Sequence, residues 1–319
     1  NPANYEPGSG STIMAYAGIT SRDVQSNSDD YFHAISISQI QTNMASKSCQ
    51  TSVAITHGTP VVNAGANYTI PRSTPFALTG SATDTGGGAL TYCWEQYDEA
   101  ATNAELCGDG TLPGDTDCIP VGTKTAGPVF RSYDPTASPT RYFPNMTSVL
   151  AGSTTTTGSE ITVEALPSVA RALNFRLTVR DNVAAGGQTN FDDVLVTVAN
   201  IAPLNVTSQN TTGIVYPVAS TQTVTWTSAG NSTITGGANV DILFSNDNGI
   251  TWAYTLATAT TNDGTHTVTL PAGVSGAYCR FMVKANANIF FNVTTKAFAV
   301  GDYVYQTQNA CTDYPFTLN

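Results

Sequence analysis

Three histidines, His33, His57 and His266, are all that the 319-residue chain offers. Hydrolytic zinc needs three protein ligands around the metal, an open position for water and a general base. No two of the three stand four residues apart with a glutamate between them, so they do not build such a centre. A nucleophilic serine fares no better, because Gly8-Ser9-Gly10-Ser11 lacks the spacing of a Gly-x-Ser-x-Gly elbow. The paired carboxylates Asp29-Asp30 and Asp192-Asp193 suit a helix start or the two sides of an extended strand. Four aspartates, Asp84, Asp98, Asp181 and Asp192, are candidate calcium ligands if their loops converge at one end of a sandwich. The same residue type also forms ordinary turns.

The stretch Glu6-Pro7-Gly8-Ser9-Gly10-Ser11-Thr12-Ile13-Met14-Ala15-Tyr16-Ala17-Gly18 runs small and polar up to one thioether, with glycines and a proline marking an irregular path. It reads as a loop built to place Met14. Ser-Thr-Ile-Met-Ala-Tyr-Ala resembles the Met-turn of the metzincin zinc metallopeptidases, in particular the secreted reprolysin-like group. That resemblance implies that Met14 is a polarizable floor beneath a zinc site, and that Tyr16 sits where astacin-like and serralysin-like relatives place a tyrosine near the transition state. In that family the zinc helix, His-Glu-x-x-His-x-x-Gly-x-x-His, comes before the Met-turn. This chain would then be a non-catalytic C-terminal portion, its parent carrying the zinc. Asp30-Tyr31-Phe32-His33 resembles the start of that family's C-terminal helix, so the likeness covers roughly the first 48 residues.

Composition points to a secreted β protein. Charged residues make up only 11%, with 12 Lys+Arg against 23 Asp+Glu and a net charge of -11. Nothing here could neutralise a phosphate track, which excludes a nucleic-acid partner. No apolar run approaches the roughly 20 residues of a membrane span, and no signal peptide precedes Asn1, so the chain reads as mature or as a fragment.

The elements expected to position these residues change period along the chain. His33, Ile37, Ile40 and Met44 share one helical face, with N-caps from Ser28 to Asp30. From Pro60 the period becomes two: 60–65, 76–84, 90–96, 173–182 and 193–198 read as strands. Gly-Ser-Ala-Thr-Asp at 80–84, Leu-Thr-Tyr-Cys-Trp at 90–94 and Leu-Thr-Val-Arg-Asp at 177–181 resemble a PKD-type immunoglobulin-like domain. The span 98–170 is expected as an insertion. A second run of strands, 224–226, 240–245, 267–270 and 279–283, with Asn262-Asp263-Gly264 as a hairpin turn, resembles the Ig-like or fibronectin-like module of secreted bacterial metallopeptidases.

The fold expected is therefore mainly β: a mostly helical segment at 1–50, a PKD/Ig-like sandwich at 51–200, a second Ig/fibronectin-like sandwich at 201–300, and a linker at 301–319. Six cysteines without a Cys-x-x-Cys pair suit an exported, disulfide-bearing protein. Cys107 and Cys118 bracket a flexible ten-residue loop that can reach the roughly 5.5 Å Cα separation of a disulfide. Cys279 with Cys311 would tie the tail to the second sandwich, while Cys49 and Cys93 remain over. Ser245, Asp247, Gly249 and Trp252 lie in a Ser-x-Asp-x-Gly-x-Thr-Trp pattern that resembles the Asp-box of sialidase-like proteins, a structural hairpin there. Two functions follow. One is the tail of a secreted or cell-surface bacterial zinc metalloendopeptidase, acting on protein substrates or holding the missing catalytic part. The other is a β-sandwich adhesin or carbohydrate-binding protein directed at extracellular polymers.

Overall fold

The computed structural model describes residues 4–49, 51, 53–55, 57–100, 119–184, 186–305 and the backbone of 315–317. It is mainly β. In chain order the elements are α1 (Ala34–Ala45), β1 (Val61–Asn63), β2 (Tyr68–Pro71), β3 (Phe76–Thr79), β4 (Ser81–Thr83), β5 (Thr91–Gln96), β6 (Thr140–Phe143), α2 (Met146–Leu150), β7 (Thr155–Thr157), β8 (Thr162–Ala165), β9 (Arg171–Arg180) and β10 (Thr189–Ala199). Then come β11 (Val215–Tyr216), β12 (Thr221–Thr225), β13 (Asn239–Ser245), β14 (Tyr254–Thr261), β15 (Thr265–Thr269), β16 (Gly276–Ala285), β17 (Phe291–Val293), β18 (Phe298–Val300), β19 (Tyr303–Tyr305) and β20 (Pro315–Thr317). The chain divides into two units. One comprises 1–68, 77–143 and 155–198; the other comprises 69–76, 144–154 and 199–319.

In the first unit β9 lies between β5 and β10, antiparallel to both. Facing this sheet is a layer of short ladders, β3 with β6 and β7 with β8. Phe143 of β6 meets Phe175 of β9 at 4.7 Å between ring centroids, and Phe130 stands edge-on to Phe143 at 5.2 Å. Phe130, Phe143, Val163 and Ala165 are all buried. The 98–170 span is thus corrected: from Ile119 onward it supplies the second layer of the sandwich. Its short, polar-flanked strands hide the period of two, and the apolar residues that matter are scattered singly.

The N-terminal segment belongs to this same unit and, among its described residues, is mostly turns with α1 the one helix. The helix starts later than Ser28–Asp30: His33 is the N-cap, its Nδ1 accepting the Ile35 N–H at 3.2 Å. Ala34 and Ser36 are the buried residues of α1, while Ile40 and Met44 are exposed. The helix docks by its first turn and leaves the expected apolar face open.

In the second unit a sheet runs β11-β18-β16-β13-β14, with β17 also on β16, and β12 pairs with β15. Its core gathers Phe244, Phe281 and Phe298, with Phe281 4.8 Å from Phe298 and 5.8 Å from Phe244. Asn262-Asp263-Gly264 does not close a hairpin. β14 and β15, which it joins, pair in different sheets. Asn262 is buried, accepting from Trp226 Nε1 at 2.7 Å and donating to Asn231 Oδ1 and the Gly237 carbonyl. These bonds hold the turn as a corner between layers, with Gly264 at φ +102.

Candidate functional site

The Met14 loop is held from below by one carboxylate. Glu6 accepts from the Ser11 and Thr12 backbone N–H groups at 2.9 and 3.2 Å, and from Thr12 Oγ1 at 2.6 Å. Ala15 N donates to the Thr12 carbonyl, Tyr16 N to the Ser9 carbonyl and Ile13 N to the Tyr31 carbonyl. The turn is ordered, yet Met14 and Tyr16 are 64% and 63% exposed. Met14 is therefore a surface side chain in this chain, with no described residue above it for which it could be a floor.

Beneath the loop lies a buried polar hub that the sequence reading missed. Glu95 accepts from Ser132 Oγ at 2.6 Å and from the Ala34 N–H at 2.9 Å, and lies 3.6 Å from His33 Nε2. Tyr31 donates to Ser132 Oγ at 2.6 Å, and burial, then Cys93 and Glu95, push its phenol well above the usual range. These groups tie the N-terminal segment to β5. This is why Cys93, Trp94, Glu95 and Gln96 are all buried in succession: both faces of the strand are covered. The one local sign is a glutamate directly after Cys93-Trp94 in a strand, which does not reveal its partners.

A second constellation sits on the outward face of β9 and β10. Arg176 and Asp193 stand directly opposite in register and form a bidentate pair, both bonds 2.8 Å. The guanidinium lies 4.0 Å from the Tyr97 ring centroid and 3.6 Å from that of Phe191. Burial works to lower the Arg176 pKa, but its bonds and charge interaction with Asp193 outweigh it, and the net shift is upward. Asn67, Asn174 and Leu195 complete a cleft of about 300 Å³ beside the pair.

The four aspartates do not converge. Asp98 binds the Asn174 amides near one end of β9, whereas Asp181 follows the other end, roughly 23 Å away at about 3.3 Å per residue. Asp192 accepts the Ala64 N–H. Asp84 accepts the Gly86 N–H and Asp181 the Val183 and Gln188 N–H groups, each leaving one buried oxygen unpartnered. Among the described residues no three His, Cys, Asp or Glu side chains lie together as a metal site. Strand length separates residues that a linear reading put at one end.

The Asp-box positions form the expected turn. Asp247 accepts from Ser245 Oγ at 2.6 Å and from the Thr251 N–H and Oγ1, while Ser245 Oγ accepts the Gly249 N–H. Gly249 has φ +81, and a Cβ there would fall 2.6 Å from Leu150 and 3.3 Å from Trp252. Burial tends to raise the Asp247 pKa; the bonds from Ser245, Thr251 and Ile250 prevail and lower it. Its stabilising effect is therefore present above the unfolded value of about 3.9 and lost as pH falls through the depressed folded value. Asp247→Ala is expected to lower stability by about 1–2 kcal/mol through unpaired donors, read from urea melts at neutral pH. The difference from wild type should shrink toward pH 3.

Cys279 is a free, buried thiol donating to the Gly276 carbonyl, and burial pushes its pKa up to about 12. This corrects the expected bond to Cys311, which lies outside the described residues together with Cys107 and Cys118. Cys93 is likewise free and buried, whereas Cys49 is free and exposed. Iodoacetamide on the native protein should label Cys49 rapidly and leave Cys93 and Cys279 unmodified until denaturant is added. Labelling of Cys279 at the rate of Cys49 would contradict its burial. Non-reducing peptide mapping tests the bond expected between Cys107 and Cys118.

No family model matches this chain. No curated protein matches it either. Solved structures align at low similarity: "Sidekick-1 immunoglobulin domains 1-5" at 11% identity over 79% of this chain and 40% of that one, TM-score 0.20; Drosophila N-cadherin EC1-4 at 12%, 76% and 48%, TM-score 0.24; and chicken CNTN1 FN1-FN3 domains at 10%, 78% and 63%, TM-score 0.23. The chain spans less than two thirds of each. At these scores the architecture rests on the strand order described above.

Proposed function

We propose that this chain is a non-catalytic binding region of a secreted or cell-surface protein, an adhesin-type array of β-sandwiches that docks another protein through its N-terminal segment. One observation carries the reading. Of the fourteen large apolar side chains exposed among the described residues, eight (Ile13, Met14, Tyr16, Ile19, Ile40, Met44, Val53 and Ile55) fall within the first 55 positions. The other six are scattered over the remaining chain. Scattered apolar residues are normal on a surface, whereas concentrated ones mark a place of contact. The test is binding of the fluorescent chain to intact cells and immobilised secreted proteins, beside the Ile13→Ser/Met14→Ser/Ile19→Ser variant. Saturable binding that falls at least about tenfold (~1.4 kcal/mol) in the variant, at unchanged melting temperature, supports the reading. Binding no greater than that of an inert protein, or equal in the variant, refutes it.

A second reading has its own support. The ordered Met14 turn, pinned by Glu6 yet bare on its apolar side, suits a segment that ends a metzincin catalytic domain and meets its zinc-bearing half. On that reading the parent binds zinc and this chain does not. The purified chain is expected to hold no stoichiometric zinc and to leave casein uncut, because Met14 and Tyr16 cannot replace three imidazoles. The product extended upstream of Asn1 should do both and lose cleavage to a chelator. An extended product lacking zinc and cleavage removes this reading and leaves the adhesin; zinc-dependent cleavage by the chain alone removes both.

A further inference from the structure

We propose that the cleft on the outward face of β9 and β10 binds a neutral oligosaccharide. This goes beyond the docking surface of the N-terminal segment and uses different residues. Arg176 spends Nε and Nη2 on Asp193, and Asn67 spends Oδ1 on the Leu195 N–H. Asn174 spends Nδ2 on Asp98. That leaves Arg176 Nη1, Asn67 Nδ2, Asn174 Oδ1 and the Tyr97 hydroxyl without a hydrogen-bond partner among the described residues. All four belong to residues lining the one cleft. They comprise donors, an acceptor and a hydroxyl that can do either.

The sign of the charge decides the ligand class. Arg176 and Asp193 neutralise each other at 2.8 Å, so the cleft offers no net field for an anion or a cation. What remains is a rigid mixture of donors and acceptors beside apolar surface, which matches the alternating hydroxyls and C–H faces of a sugar ring. Tyr97 and Leu195 supply the apolar part within the cleft, which Phe191 borders on the far side of the Arg176 guanidinium. Phe191 is 47% exposed, with Arg176 against one face of the ring and held there by Asp193. The clamp therefore fixes the ring before any ligand arrives, which reduces the ordering entropy of binding. A cleft of about 300 Å³ is at the small end of ligand sites, suited to one or two rings of a longer polymer.

The experiment is calorimetric titration of the full chain with cellotetraose, maltotetraose and chitotetraose, with polygalacturonate as an acidic control. Phe191→Leu keeps an apolar side chain but no ring face, and Tyr97→Phe removes one hydroxyl and nothing else. At least one neutral tetrasaccharide is expected to bind, weakening about tenfold or more in Phe191→Leu and severalfold in Tyr97→Phe, with both variants melting as wild type. If Phe191→Leu misfolds, Tyr97→Phe alone carries the comparison. No binding by any neutral tetrasaccharide at about 10 mM, binding unchanged in the folded variants, or preference for the acidic polymer overturns the proposal. Each outcome is independent of the Ile13, Met14 and Ile19 substitutions, so loss of one surface is separable from loss of the other.

Discussion

Glu95→Ala is expected to lower the free energy of unfolding by about 3–5 kcal/mol, the range seen when one partner of a buried charged network is removed. Glu95 is fully buried, and its two oxygens serve different clients: Ser132 Oγ, itself the acceptor for Tyr31, and the first free N–H of α1 at Ala34. Alanine strands both donors in a place water does not reach, at about 1–3 kcal/mol each. Because Ala34 lies in the N-terminal segment and Ser132 Oγ holds Tyr31 of the same segment, the damage is local before it is global. Limited proteolysis should cut the variant within residues 4–48 under conditions where the sandwich survives, and urea melts should give the full loss. Glu95→Gln, which keeps one acceptor oxygen, should lie between. A Glu95→Ala protein within about 1 kcal/mol of wild type, with an uncut N-terminus, would show that the hub holds nothing.

Phe281→Ala should reduce stability by a similar amount through a different physical route, about 3–5 kcal/mol from lost transfer energy and the cavity left behind. The side chain is fully buried on β16, between Phe244 and Phe298, and β16 is bonded to β13, β17 and β18. A void there removes contacts on several strands at once, and the surrounding rings are too large to rotate into it without leaving gaps of their own. Phe281→Leu, which refills part of the volume, should recover roughly half. Chemical denaturation of the three proteins side by side measures this. Equal midpoints for Phe281→Ala and wild type would mean that the aromatic cluster is not what holds the sheet.

What could be read from residues alone was set by how local the cause was. β9 and β13 alternate over much of their length, while β5 and β16 are runs rich in aromatic and β-branched residues, and glycine, asparagine or aspartate stands close to their ends, so their strand character survives inspection. The Asp247 turn was also legible, since the bonds made by the Ser245 and Asp247 side chains run within seven residues. The Glu95 hub was not, because its partners arrive from positions 34 and 132 and nothing near Glu95 announces them. The Arg176 cleft was half visible: Arg176 and Asp193 each sit in the polar phase of a strand, but only the register places them opposite. How exposed Met14 is was not legible, for a related reason. A short run of residues specifies a turn, while burial of its tip depends on what lies over it.

The corner at Asn262 bears on how fast the second unit can form. A two-residue turn between neighbouring strands would let the chain start from contacts made within microseconds. Here the turn sends β14 and β15 apart, so Thr221 must find Thr269 and Val215 must find Ala299 before either sheet is complete. Loop closure over such separations must be met before any of those pairings gives a return, and domains dominated by distant pairings fold on the order of milliseconds to seconds. Through that interval the bare edge of a Thr-rich β14 is available to other chains. Refolding yield should therefore fall with protein concentration more steeply than stability would suggest.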